Sequence, residues 1–315
     1  IDYKKVFFSQ HHLSHAASAY YPSPYNCAAI IIVDGVGEWA STSLWKGENK
    51  KIVSLKQINF PDSIGLLYSA FTQYLGFKVN SGEYKMMGLA PYGEPIYKKL
   101  IYDNLISMKN DSSYVLNMKF FNYETGLTMI NKNFEELFKH SKRNSEDQIE
   151  KFHADVASSI QRVTEEVYFG LINHLYEITD TENLCLAGGV ALNCVANGKI
   201  QEKTKFKNIW IQPAAGDAGG SIGAALSYYF DKSENSREVI KPDSMQGSYL
   251  GNCYHNEAIK KLFNECNAVY DFIENFDDLI DIVANYLTKG KAVGWFQGKM
   301  EFGPRALGNR SIIAD

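Results

Sequence analysis

The 315-residue sequence has little of what marks exported, membrane-spanning or nucleic-acid-binding proteins. Its five cysteines, at 27, 185, 194, 253 and 266, are odd in number and form no CxxC pair. They therefore indicate neither a disulfide framework nor a zinc knuckle, and a reducing cytoplasm is expected. No run approaches the roughly 18 to 20 consecutive apolar residues that cross a bilayer, and no charged-then-apolar leader opens the chain. Positive charge is not in excess: the net charge is −4 and the pI about 6.0, which argues against a general affinity for nucleic acid or anionic membrane. The chain starts at Ile1 without Met and stops at Asp315 straight after a dense motif, so a piece of something longer is expected.

What is present is an ordinary globular composition, 45% hydrophobic and 22% charged, long enough for two or more packed units. Lys5 to Ser9 is a short apolar run, His11 to Tyr20 is helix-permissive, and Cys27 to Val33 (CAAIIIV) reads as a buried strand. Strands are predicted near Ser41 to Trp45 and Ile52 to Asn59. An amphipathic helix follows from Ser63 to Phe77, with Ile64, Leu67, Phe71 and Leu75 on one stripe. Residues 110–146 are more polar and irregular and read as an insertion or connecting lobe. A long helix is predicted from Asp147 to about Tyr176, its stripe being Ala154, Ile160, Val163, Val167 and Leu171. Strand, glycine-rich loop and helix then occur twice in succession, from Asn183 and from Asn208. Residues 231–247 read as a linker or surface excursion, before a helix near Asp277 to Thr288 and a strand at Ala292 to Phe296.

Several polar residues stand where chemistry is done. His11 and His15, in HHLSHA, project from one helix face a turn apart, in reach of a single ion. A helix-terminal polar cluster explains the pair equally well when it is taken alone. Asp34 ends the buried strand and opens DGVGE, at the carboxyl edge where open α/β sheets bind ligands. An Asp-Gly hairpin turn accounts for the same residue and can itself place the carboxylate. Asp217 lies in PAAGDAGGSIGAAL among Gly216, Gly219, Gly220 and Gly223, where a helix start accounts for one glycine and not for four. Two His nitrogens with two Asp oxygens make a mixed site suited to a divalent metal, Fe(II), Mn(II) or Mg(II). Gly188 and Gly189, in AGGVALN, offer a second glycine loop for a nucleotide, and Lys85, between Gly82 and Gly88, suits phosphate unless that segment is only a structured turn. Lys299, Arg305 and Arg310, amid the glycines of GWFQGKMEFGPRALGNRS, read as an anion pocket.

HHLSHAASAYYPSP, VDGVGE, GEYKMMGLAPYG, LAGGVALNCVANGKI, PAAGDAGGSIGAAL and MEFGPRALGNRSI, in that order, resemble the motifs of the O-carbamoyltransferases of the NodU/CmcH family. The resemblance covers most of residues 10–315. It implies an α/β fold: an actin/hexokinase-like (ASKHA) duplicated ribonuclease H-like domain over 1–235, with its N-terminal part missing, and a linker with the start of a truncated YrdC-like α/β domain over 236–315. It implies that carbamoyl phosphate and ATP form a carbamoyl adenylate with release of pyrophosphate, and that the carbamoyl group then passes to a hydroxyl of a small-molecule acceptor such as a sugar, antibiotic or other natural product. Carried over by motif, His11, His15, Asp34 and Asp217 are the metal ligands. Gly188, Gly189, Asn193, Gly216, Gly219, Gly220 and Lys85 hold the nucleotide, and Lys299 and Arg305 hold carbamoyl phosphate or the adenylate. His12, beside the ligands, is the candidate general base, with a structural role as its alternative. The expected enzyme is cytoplasmic and homodimeric, with no nucleic acid or membrane partner. A kinase or ATPase of the same superfold, a tRNA threonylcarbamoyl transferase-like enzyme and a non-catalytic nucleotide-binding module are the competing readings.

Overall fold

The run CAAIIIV has no polar side chain to offer solvent, and it becomes the central strand of a five-stranded sheet, with Ala28 to Val33 at most 1% exposed. The computed structural model describes residues 6–232 and 236–315, which fall into two compact units, 1–241 and 242–315.

In the first unit, α1 (His11–Tyr20) precedes β1 (Cys27–Val33), β2 (Ala40–Glu48), β3 (Lys51–Asn59) and α2 (Ile64–Tyr74). The apolar run before α1 forms no strand: residues 6–10 have no regular structure, and Lys5 lies outside the described residues. Ser63 caps α2 by accepting the Leu66 N–H, which ends the β-region backbone and starts the helix one residue later than the periodicity suggested. Three short segments follow, α3 (Glu83–Leu89), α4 (Lys98–Asn104) and the two-stranded β4 (Ile106–Met108) and β5 (Tyr114–Leu116), then α5 (Lys132–Phe138). The 29-residue α6 (Lys151–Thr179) leads into β6 (Asn183–Ala187), two single turns α7 (Cys194–Asn197) and α8 (Ile200–Lys203), β7 (Asn208–Ile211) and α9 (Asp217–Lys232).

The sheet order is β3-β2-β1-β6-β7, with β1, β2 and β3 antiparallel and β1, β6 and β7 parallel. Successive side chains of β1 face opposite ways. Ile31 and Val33 join the core made with α2 and α6. Ile30 and Ile32 are buried on the other face, where α1 packs. The predicted stripe of α6 is buried throughout, from Ala154 to Leu171.

Residues 110–146 are not a surface lobe. Tyr114, Leu116, Phe120, Phe121, Phe134 and Phe138 all enter the main core, and the aromatic rings of Phe134 and Phe138 pack edge-on against Phe71 of α2. Tyr114 and Leu116 alternate on a strand of 3 residues, and Phe134 and Phe138 stand one turn apart on a helix of 7, elements too short for a period to stand out in the sequence. The expected linker at 231–247 is also more than a linker. Arg237 is buried, its guanidinium 4.2 Å from the Tyr20 ring and donating to the carbonyls of Tyr20, Tyr21, Ser23 and Tyr25. Those carbonyls belong to the end of α1 and the turn after it, where helix acceptors lack intrahelical partners.

The second unit holds α10 (Asn256–Glu265), α11 (Phe276–Leu287) and an antiparallel pair, β8 (Val293–Phe296) and β9 (Arg310–Ile313), with Phe296 opposite Arg310. Among the described residues no helix is long and apolar enough to cross a membrane.

Candidate metal centre

The parallel strands β1 and β6 end side by side, and the chain leaving each edge supplies a piece of one site. Asp34 follows β1 directly. Its backbone is pinned by Ser41, whose carbonyl accepts the Asp34 N–H at 2.9 Å, and by the Ser63 hydroxyl, which donates to the carbonyls of Asp34 (3.1 Å) and Gly35 (2.6 Å). A side chain at Gly65 would sit 2.4 Å from the Asp34 carbonyl, so α2 reaches this close only through glycine.

The histidines come from α1. His11 Nε2 and His15 Nε2 are 3.0 Å apart, one turn apart along the helix. Asp34 Oδ2 lies 3.0 Å from His11 and 3.3 Å from His15, and Asp217 Oδ1, from the first residue of α9, lies 3.4 Å and 3.6 Å from the same two nitrogens. All four donor atoms fall within 4.8 Å of one another. Donors to one ion at about 2.1 Å lie roughly 3.0 to 3.4 Å apart at right-angle or tetrahedral spacing, so the observed separations fit a shared cation. The buried His15 Nδ1 has no partner among the described residues, so Nε2 is the ring nitrogen turned to Asp34 and His11.

Burial alone would raise the Asp34 carboxyl. Hydrogen bonds from His11 and His15 and the Gly189 N–H (3.0 Å to Oδ1) reverse this and hold it far below the usual carboxylate range. The hydrogen bond to Asp34 raises the His11 imidazole, against its partial burial. Asp34 is thus an anion that already spends one oxygen on the glycine loop and turns the other to the histidines.

α9 reaches the site because it lies almost on α1: a Cβ at Gly223 would overlap the Ser14 carbonyl, and one at Gly219 would meet the Ala214 carbonyl. Gly220, by contrast, faces open space and lines a cleft of about 360 Å³ with Ser9, His11, Ser14, His15, Glu38 and Asp217. Glu38 was not legible in the sequence. Both of its carboxylate oxygens accept the His11 N–H, at 3.0 and 3.1 Å, so the β1–β2 turn caps the start of α1.

The other expected site residues divide. The Gly188 N–H is committed to the Ala215 carbonyl (2.8 Å), and its φ of +91° beside the Val33 carbonyl makes it a packing glycine. The Gly189 N–H is committed to Asp34. These two amides therefore hold protein groups and do not form the expected phosphate cradle. Gly216 accepts the Gly219 N–H through its carbonyl, closing the turn into α9. The Asn193 side chain turns inward to Gln161 and caps α7 by accepting the Ala196 N–H, so it too faces away from a ligand. Lys85 is exposed on α3, whose Met87 Sδ lies 4.0 Å from Cys194 Sγ at the end of that loop.

His12 is turned away from the cleft. It is 5% exposed, with Nδ1 2.6 Å from the Ser43 hydroxyl, which accepts the Trp45 indole N–H at 2.7 Å. Indole only donates, so the Ser43 hydroxyl accepts from Trp45 while it bridges to His12 Nδ1. Burial pushes His12 down to about 4 and keeps it neutral. With Nδ1 engaged by Ser43 and the ring buried outside the residues that line the cleft, the contacts of His12 support its structural role.

Lys299 and Arg305 lie in the second unit. There the buried Glu301 organises the motif: its Oε1 accepts the N–H groups of Leu307 (2.8 Å) and Asn309 (2.8 Å), and Arg310 Nε is 3.2 Å from Oε2. Arg310 also donates to the Gly303 carbonyl. Arg310 and these loop amides are therefore held by an internal carboxylate.

Residues 1–226 match the family model described as "Carbamoyltransferase N-terminus", and 284–315 match "Carbamoyltransferase C-terminus". The chain is 58% identical over its full length to an uncharacterised protein, sll1178, of Synechocystis, covering 51% of that protein. It is 34% identical over its full length to nodulation protein NolNO of Sinorhizobium fredii, covering 44% of it. It is also 34% identical over 97% of its length to nodulation protein NolO of Bradyrhizobium diazoefficiens, covering 53% of it. The chain thus spans about half the length of the curated relatives it matches.

Proposed function

Because the chain belongs to the carbamoyltransferase family, we propose that it is the carbamoyl-transferring part of an O-carbamoyltransferase that uses ATP and carbamoyl phosphate and acts on a hydroxyl of a small-molecule acceptor. The observation that carries this reading is the convergence of His11, His15, Asp34 and Asp217 from α1, β1 and α9 onto one point at the carboxyl edge of the parallel strands. The sheet order β3-β2-β1-β6-β7 supports an actin/hexokinase-like unit of ribonuclease H-like topology, and the match over 284–315 supports a YrdC-like beginning in the second unit.

The four residues would hold Fe(II), Mn(II) or Mg(II). Bound there, the ion would supply Lewis acidity toward a phosphate or hydroxyl oxygen. The chain's own residues do the rest. Asp34, kept ionised by its partners, fixes the negative charge of the site, and Glu38 and Ser9 form the rim of the cleft that an acceptor would enter. Transfer from an acyl phosphate anhydride needs orientation and exclusion of water more than covalent help, and the cleft beside the four residues is where an acceptor would be oriented. Lys299 and Arg305 would bind the phosphate groups of the adenylating half-reaction.

The test is pyrophosphate release from ATP by the full-length protein, with and without carbamoyl phosphate. Release is expected to require carbamoyl phosphate and to fall at least about a hundredfold in Lys299→Ala, the scale of losing one preorganised electrostatic contact. Inorganic phosphate release indifferent to carbamoyl phosphate would instead identify a kinase or ATPase.

A further inference from the structure

The loop that backs Asp34 is held from behind by a buried polar relay. On α6, Gln161 and Glu165 stand one turn apart, 5% and 2% exposed, among buried neighbours that include Ala157, Ile160, Thr164 and Tyr168. Gln161 and Asn193 exchange amide hydrogen bonds in both directions, at 3.0 and 3.2 Å. Gln161 also accepts the Tyr68 hydroxyl (2.9 Å) and donates to Glu165 (3.0 Å). Glu165 grips Lys199, beyond α7, through both oxygens at 2.7 and 2.8 Å. Residues 193 and 199 are thereby tied to adjacent turns of one rigid helix, and the single turn of chain just before Asn193 starts at Gly189, whose N–H meets Asp34 Oδ1.

Packing alone does not call for this arrangement, because a buried carboxylate and amide cost several kcal/mol of desolvation that only complete pairing offsets. Complete pairing gives one geometry in return. We propose that Gln161, Glu165 and Lys199 are positioning residues for the metal centre: they set the 188–199 segment so that Gly189 occupies Asp34 Oδ1 and Oδ2 is presented to the histidines. The proposal rests on the metal-binding reading above. Outer hydrogen bonds to a metal-ligating carboxylate commonly carry about ten- to a hundredfold in metal affinity.

The test is Mn²⁺ titration calorimetry on the full chain, with thermal melting and deuterium exchange across residues 186–194. The variants are Glu165→Gln, Lys199→Met, whose side chain reaches the surface and is the milder change, and Val167→Ala as a core control on the same helix. Both relay variants are expected to bind Mn²⁺ about tenfold more weakly and to exchange faster at 186–194 while still melting cooperatively. Val167→Ala is expected to melt lower with unchanged affinity. Wild-type affinity in both folded relay variants, or an equal loss in Val167→Ala, overturns the proposal alone. No Mn²⁺ binding by the wild type overturns the metal reading and the proposal with it.

Discussion

At the scale of single residues, the hydrogen-bond partner decides what a titratable group can do. His153 shows this away from the metal centre. It is 3% exposed, its Nδ1 accepts the Glu150 N–H at 2.9 Å at the start of α6, and its Nε2 has no partner. Burial lowers its pKa; His140 and Arg143 also lower it, while Glu150 and Asp147 oppose them. A lowered folded pKa means that the unfolded chain binds more protons, so this stability is present above pH 6.5 and is lost as pH falls through the folded value. Protonation also removes the acceptor that caps α6. His153→Gln keeps an acceptor at the same capping position without titrating. Between pH 7 and pH 5 the wild type is expected to lose about 1 kcal/mol more than His153→Gln in urea denaturation, the scale of one helix cap. Equal losses would show that His153 does not contribute to the acid sensitivity.

At the scale of elements, the site depends on how closely α9 approaches α1. Gly223 has no room for a Cβ against the Ser14 carbonyl, so Gly223→Ala must push the helices apart. A loss of about 1–3 kcal/mol is expected from such overpacking. Mn²⁺ affinity should weaken as well, because Asp217 sits on α9 and the histidines on α1; calorimetry showing unchanged affinity in the folded variant would uncouple the helix contact from the site. Much at this scale was legible beforehand. CAAIIIV had to be buried, the stripe of α6 had to face a core, and His11 and His15 had to share a helix face. Of the glycines of PAAGDAGGSIG, Gly219 and Gly223 serve close packing and Gly220 lines the cleft. The core aromatics of 110–146 escaped notice because the elements that carry them are too short to show a period. Glu38 and Gln161 escaped notice because each acts on groups distant in sequence, and Glu301 because it folds its own loop without any helical or strand spacing.

At the scale of the molecule, the net charge is −4, no described helix is long and apolar enough to cross a membrane, and the cluster of His11, His15, Asp34 and Asp217 is the candidate site. The first unit assembles that site from three separate stretches of chain, 11–15, 34 and 217, brought together by one mixed sheet and the helices on its faces. The family match reaches into both units, over residues 1–226 and 284–315. The claim on which the rest depends is that the four converging side chains hold one divalent ion. Metal analysis of the full chain after loading with Mn²⁺ and desalting tests it most directly. About one ion per wild-type chain and almost none in His15→Ala is the predicted result; no retained ion in the wild type, or full retention in His15→Ala, would contradict it.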